Sequence, residues 1–519
     1  MKKFLRSLFS LLLTAALCAG ISACGKNDGN GLLPVETETE EQIKEKNTRK
    51  WVNLFAANMM DLYYLWTKEI ADAIKAWKLT EEPISYLKDH RYKDDRWSKI
   101  TDDFASFYGS VSGTQKTYGY DLTFGYADAQ RTTICAVITF TYAGSPARNA
   151  GLKRGDIILE VNGKTMTPSN YADIVSKELL GGDQVKLSVY TGVPPSVKEV
   201  TLQSVEMYEN PVHTVKVIDC GTKKVGYLHF TSFTLDACQD LIDACKTFRA
   251  AGISDLILDL RYNGGGFSLT EQVLASLLAP EAEVDAGSVL STEVYNEALT
   301  KYYAEKQQDT KTYFKKAYDF KSSEGKSYHL DLKDANPRIS QLVAIISSGT
   351  ASASEAILCD LFPYLTIKLV GEQTHGKFCS GLMLYGPDFY DDNKSWVEQN
   401  MGVGSAAQGK KYADNWGLYV MYSRFADKDG VTRCMPDGLK PDVKVSDDVT
   451  DGYELGDPGE TMLAKALELC GYQQPLASPA ARPQSTASRF TPFSLALTRE
   501  LQELQPGFGC RITLPDQLP

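Results

Sequence analysis

Four short apolar runs, at residues 225–230, 255–260, 342–346 and 365–370, constrain this chain more than any other feature. Each has the length of a strand, and the second and third show little of the polar alternation of a strand with one wet face, so those two read as buried strands. Between the first two, residues 236–248 repeat apolar positions at helical spacing, which makes a βαβ unit with parallel strands. Covering such a sheet takes a sizeable domain, and 519 residues at roughly 150 per domain allow three or four units. The 43% hydrophobic content can fill large cores. With 55 Lys and Arg against 66 Asp and Glu, the net charge of −11 excludes binding to nucleic acid through phosphate neutralisation.

Chemistry is expected where these strands end. The second runs into Arg261-Tyr262-Asn263-Gly264-Gly265-Gly266, and a helical pattern follows from about Leu269. A strand, a glycine loop and a helix can hold a phosphate, but no Gly-Lys-Ser/Thr follows and the dinucleotide spacing is absent. Glycine loops also let backbone N–H groups face a developing oxyanion with no side chain in the way, which suits acyl transfer and calls for a nucleophile elsewhere. Ser352, in Ser348-Gly349-Thr350-Ala351-Ser352-Ala353-Ser354-Glu355, lies between the third strand and a helix, where a hydroxyl is exposed at a turn. Ser352 and Glu355 also fit a capping box, so a purely structural serine is the alternative. Lys377 closes Gly371-Glu372-Gln373-Thr374-His375-Gly376-Lys377 after the last strand. It is either one more solvated lysine or, if buried and neutral, a base for a serine.

The N-terminus carries Lys2, Lys3 and Arg6, then an apolar stretch over 8–17 and small residues, the order of a secretory leader. Ile21-Ser22-Ala23-Cys24 resembles the lipobox of bacterial lipoproteins, which implies that Cys24 is diacylated and becomes the mature N-terminus. Residues 24–47, Gly-, Asn- and Glu-rich, are expected to be a flexible tether. Trp51, Leu54, Phe55, Met59, Leu62, Tyr63 and Trp66 recur at helical spacing and open a helical region over 48–107. Residues 471–519, rich in Pro, Ala and Ser, read as a tail without an assigned role. The cysteines past Cys24 are odd in number, scattered and without CxxC pairs, which argues against a disulfide framework or zinc site and places Cys238 and Cys245 in a core.

In the β-rich stretch 108–205, Gly144-Ser145-Pro146-Ala147, Ala150-Gly151-Leu152, Gly155-Asp156-Ile157-Ile158 and Val161-Asn162-Gly163 resemble the PDZ domains of bacterial proteases. Such domains add a peptide C-terminus to a sheet edge and hold its carboxylate in a turn of N–H groups. The resemblance assigns that turn to Tyr118-Gly119-Tyr120, with Asp121 a departure that weakens the field for a carboxylate.

Taken with Leu258-Asp259-Leu260-Arg261, the Ser352 and Lys377 motifs, Gly417–Arg424 and Pro436-Asp437-Gly438-Leu439-Lys440-Pro441-Asp442-Val443, residues 108–470 resemble the C-terminal processing (tail-specific) serine proteases, with 206–470 as the catalytic domain. The resemblance implies an α/β multidomain chain, with a helical N-terminal region, a PDZ domain and a ClpP/crotonase-like α/β catalytic domain. It makes Ser352 the nucleophile and Lys377 the general base, with Ala353 N–H and an N–H of Gly264 or Gly265 as the oxyanion hole. The family's Gln four residues past the Lys is replaced by Gly381, and Ser380, Cys379 or His375 are the available substitutes. His375 is also a rival base, since imidazole is the commonest one. The expected protein is a lipid-anchored cell-envelope endopeptidase, without cofactor or metal, whose partners are polypeptides with free C-termini. The alternative is a PDZ-containing binding protein that Gly381 has left inactive.

Overall fold

The computed structural model describes residues 38–472 other than 193–194, 222 and 323–324, and then 491–493, 498, 502 and 508–514. The leader and Cys24 lie outside the described residues. Helix α1 (Glu40–Tyr63) starts within the stretch expected as a tether, because Thr39 caps it and exchanges hydrogen bonds with Gln42 in a capping box. Trp51, Leu54, Phe55, Met59, Leu62 and Tyr63 are buried as the periodicity requires. Trp66 falls past the end of the helix and stacks on Tyr92. The N-terminal region is not a separate unit: Tyr390 donates to the Trp51 carbonyl, and β1 (Lys99–Thr101) joins a sheet of the main body. Among the described residues no helix is long and apolar enough to cross a membrane.

The β-rich unit is a sheet of β2 (Tyr120–Tyr126), β3 (Ile134–Thr141), β4 (Ile157–Val161), β5 (Gln184–Gly192) and β6 (Pro195–Gln203), paired antiparallel in the order given. Helix α2 (Tyr171–Ile174) and the turns after it close the small core of Leu122, Ile138, Ile158, Leu187 and Leu202.

The main body follows as β7 (Val212–Asp219), β8 (Lys224–Phe230), α3 (Ala237–Ala251), β9 (Asp255–Asp259), β10 (Gly266–Phe267), α4 (Ser268–Leu278), β11 (Val289–Tyr295) and β12 (Lys311–Tyr313). It continues with β13 (Gln341–Ile346), α5 (Ala353–Leu361), β14 (Thr366–Gly371), β15 (Cys379–Tyr385), β16 (Gly417–Asp427), β17 (Val443–Lys444) and α6 (Thr461–Leu469). One sheet runs β7-β8-β9-β13-β14-β17, parallel except for the β7–β8 hairpin. Its alternate residues serve two cores. Leu228, Leu256, Leu258, Leu342 and Ala344 face α5 and the second sheet, while Val225, Ile257, Val343 and Ile345 pack under α6. In β8, β9 and β13 both faces are largely dry, which is why these runs are mainly apolar, whereas Thr366 and Lys368 of the edgeward β14 are exposed; each buried apolar side chain contributes about 1.5–3 kcal/mol.

Two late segments return to these sheets. β18 (Thr491–Pro492) adds antiparallel to the β2 edge, and β19 (Arg511–Thr513) inserts between β10 and β15, parallel to both. The second sheet is thereby β10-β19-β15-β16-β11-β12, with β1 on β16. The tail that the sequence left without a role thus contributes to two sheets. All nine cysteines among the described residues are free thiols, with Cys238 and Cys245 buried on α3.

Candidate active site

The turn after β9 and the turn before α5 are laced together. Thr350 Oγ1 donates to the Leu260 carbonyl at 2.8 Å, Ser354 Oγ to the Asn263 carbonyl at 2.9 Å, and Ala351 N–H to the same carbonyl at 3.1 Å. Asn263 is buried and anchored by its amide to the Phe230 carbonyl. This lacing puts Ser352 at the N-terminus of α5 with φ 65° and ψ −113°, a backbone conformation that costs a non-glycine residue about 1–3 kcal/mol and persists where surroundings enforce it. Its Oγ is buried and accepts no hydrogen bond. A Cβ on Gly265 (φ 111°) would lie 2.9 Å from Ser352 Cβ and 3.1 Å from the Ala351 carbonyl, so glycine there is what lets the two loops close.

Glu355 joins the nucleophile candidate to the lysine loop. Its buried carboxylate accepts from the N–H groups of Ser352 (2.9 Å), Gly376 (2.7 Å) and Lys377 (2.8 Å), and from the Thr374 hydroxyl. Burial pushes this carboxyl up to about 7, against hydrogen bonds that pull it down. The capping-box residues therefore do more than cap: Glu355 fixes Ser352 and Lys377 relative to one another.

Lys377 is fully buried rather than solvated. Burial lowers its amine from 10.5 to about 8. The Nζ donates to Tyr419 Oη at 2.7 Å and lies 6.0 Å from the Trp97 ring, so the N-terminal region supplies part of the apolar wall that desolvates it. Tyr419 also explains Gly381. A Cβ at 381 would fall 2.2 Å from the Tyr419 ring, so the phenol occupies the space a side chain at that position needs. Of the substitutes considered from the sequence, Ser380 faces Glu293 and Arg511, Cys379 is buried, and the His375 ring packs edge-on against Phe508 at 5.5 Å. The partner of Lys377 is Tyr419, to which sequence reasoning gave no role.

The N–H donors are placed differently from the simplest expectation. Gly265 N–H is taken by Asn263 Oδ1 at 2.9 Å, Gly264 lies against the Phe508 ring, and Gly266 N–H donates to the Cys510 carbonyl at 2.5 Å. Ala353, at the first turn of α5, is buried directly beside Ser352.

In the β-rich unit, the Tyr118-Gly119-Tyr120 turn is packed inward. Gly119 N–H goes to Thr117 Oγ1 at 2.8 Å, and both tyrosines are buried. Asp121 points away from a role in that turn: its half-buried carboxyl accepts from Thr139 Oγ1, and desolvation pushes it up to about 7, so its charge is only partial at neutral pH. It lines a cavity of about 350 Å³ between this unit and the main body, with Arg261, Tyr262, Ser347 and Phe508. The groove between β2 and α2 holds Phe493, 5.0 Å from the Tyr126 ring and 6.0 Å from the Tyr171 ring. Buried Arg154 ties the two units together, reaching Asp447 at 2.7 Å and Tyr262 Oη at 2.7 Å beside the Arg261–Asp259–Glu460 cluster. Sequence reasoning missed this link, although the arginine of the Leu-Asp-Leu-Arg run was a signal for it.

Comparison with known proteins agrees with this division. Residues 224–382 match peptidase family S41, and residues 137–189 match the PDZ domain. The carboxy-terminal processing protease CtpA of Bacillus subtilis is 25% identical over 348 residues, 64% of this chain and 60% of that protein. The chloroplastic carboxyl-terminal-processing peptidase 1 of Arabidopsis thaliana is 30% identical over 238 residues, 45% of this chain and 42% of that one. The chain thus spans about 60% or less of the length of these relatives. A crystal structure of an S41-type protein from Bacteroides fragilis superposes with a TM-score of 0.59 at 22% identity, over 82% of this chain and 98% of that one, and shows the same fold. The S41 match thus lies in the α/β body and the PDZ match in the β-rich unit ahead of it.

Proposed function

We propose that the protein is a serine endopeptidase that cuts polypeptides through a Ser352–Lys377 dyad. The observation that carries this reading is a fully buried lysine amine, depressed to about 8 and held by Tyr419, in a loop that Glu355 ties to Ser352. Ser352 Oγ adds to the peptide carbonyl carbon while Lys377 Nζ takes its proton. The oxyanion is received by N–H groups of the glycine loop and the start of α5. Lys377 then returns the proton to the leaving nitrogen, the C–N bond breaks, and water, deprotonated by the same amine, hydrolyses the acyl-enzyme. The groups named suffice for each step. Incubating the full chain with an unfolded protein tests the reading: fragments form with the wild type and not with Ser352→Ala, and equal fragmentation by both removes Ser352 from the chemistry.

The PDZ domain selects substrates by strand addition at the β2 edge, and a free apolar C-terminus is the expected ligand. Carboxy-terminal processing, for which both relatives are named, supports this choice. Cys24 is the lipid anchor that holds the enzyme in a bacterial envelope. The mass of the mature N-terminal peptide tests it, and a mature chain without acyl groups rules it out.

A further inference from the structure

The main body builds a buried pocket for one cation and does not itself supply the cation. Glu271 of α4, Glu293 of β11 and Asp360 of α5 converge there with Ser380 and the ring of Phe425. Arg511, from beyond the last helix of the body, fills it. Its Nη2 is 3.0 Å from Glu271, its Nη1 is 2.7 Å from Glu293 and donates to Ser380 Oγ, and its guanidinium lies 5.1 Å from the Phe425 centroid. Arg511 and Glu271 are 1% and 0% exposed. Carboxylates buried this deeply are tolerable only with a matched cation, and a planar fork contacting two carboxylates and an aromatic face suits arginine better than lysine.

The segment that brings Arg511 lies across the catalytic groups. The Cys510 carbonyl accepts from Gly266 N–H at 2.5 Å, and a Cβ on Gly265 would touch that same oxygen and Ser352 Cβ together. On the other side of the peptide bond, Arg511 N–H donates to Tyr419 Oη at 3.1 Å, the hydroxyl to which Lys377 also donates. One glycine N–H thus meets the Cys510 carbonyl and the hydroxyl that holds Lys377 meets the Arg511 nitrogen, which sets this peptide bond between the glycine loop and the lysine–tyrosine pair. The flanking residues extend as β19 between β10 and β15, while β18 of the same tail lies on the PDZ edge with Phe493 in its groove. One tail occupies both places where a substrate strand belongs.

We propose that the Glu271–Glu293–Asp360 pocket is the enzyme's subsite for an arginine directly after the cleaved bond, and that Cys510–Arg511 sits in it as an intramolecular stand-in for substrate. The proposal rests on Ser352 being the nucleophile, and it adds a specificity that the dyad alone does not give. A polypeptide with arginine at that position displaces the segment and takes over the pocket.

Two measurements on the full chain test it. In the wild type, alkylation of Cys510, located by mass spectrometry, reads whether the segment has left. An excess of the peptide Phe-Gly-Ala-Arg-Ile-Thr-Leu speeds alkylation, and its Arg-to-Ala counterpart needs about 30-fold more peptide for the same effect. In Arg511→Gln, quenched peptides differing only after the cut bond are hydrolysed with kcat/KM at least about 30-fold higher for Arg than for Gln. Should Arg511→Gln fail to fold, the wild-type measurement stands alone. Cys510 protected against every peptide, or Arg and Gln substrates cut equally, overturns the subsite and leaves the peptidase reading intact. Cys510 exposed by the Arg peptide alone, with no hydrolysis and no fluorophosphonate on Ser352, supports the pocket and refutes the peptidase.

Discussion

A lysine is a base only while neutral, and burial brings the Lys377 amine down to about 8, where a share of it is neutral near physiological pH. Because its amine is depressed to about 8, protonation takes over below that value, so kcat/KM falls as pH drops through about 8 and levels off above it. Lys377→Ala loses about 10²- to 10⁴-fold in kcat, and Lys377→Arg is no rescue because guanidinium stays protonated. Tyr419 positions the amine, so Tyr419→Phe lowers kcat by up to about 10²-fold with KM little changed. Gly381→Gln alone clashes with the Tyr419 ring, whereas Gly381→Gln combined with Tyr419→Ala recovers part of the lost rate; no recovery in the double variant removes Tyr419 from that role. Ser352 and Lys377 were legible because each sits in a local motif. Tyr419 was not, since it reaches Lys377 from a strand 42 residues on and carries no turn or glycine signature.

Among the elements, the start of α5 shows why two readings of one sequence pattern need not exclude each other. The Ser352/Glu355 capping box is present in its glutamate half, and the same glutamate also orders the Lys377 loop. Glu355→Ala leaves three buried N–H groups without their acceptor, at about 1–3 kcal/mol each, so a lower Tm and loss of turnover are expected together. Stability unchanged in that variant, by calorimetry, contradicts the hub. The parallel strands were readable to within a residue or two, because β9 and β13, dry on both faces, leave mainly apolar runs and β14 alternates polar and apolar residues at its start. β19 was invisible: three residues give no periodicity, and partners at 266–267 and 381–382 lie far away in sequence. The early start of α1 was missed for the opposite reason, since its exposed first turns carry no apolar stripe and only the Thr39–Gln42 pair marks them.

For the whole molecule, Arg154 makes the PDZ domain and the peptidase body one object. It is buried and shares Asp447 and Glu460 with Arg261, so Arg154→Ala removes part of their neutralisation and the tie to the PDZ domain, and lowers Tm. Separation of the two units in thermal unfolding of that variant, against one transition in the wild type, is the expected signature. On the proposed selection through the PDZ domain, amidating a substrate's C-terminus raises KM far more than it lowers kcat, and equal cleavage of free and amidated tails takes the PDZ domain out of recognition. The most direct test of the dyad is fluorophosphonate labelling of the full chain across pH, with the adduct located by mass spectrometry. The account predicts an adduct on Ser352 whose formation rate rises as pH passes about 8 and vanishes in Lys377→Ala. An adduct that forms normally in Lys377→Ala and is lost in His375→Ala contradicts it and makes His375 the base.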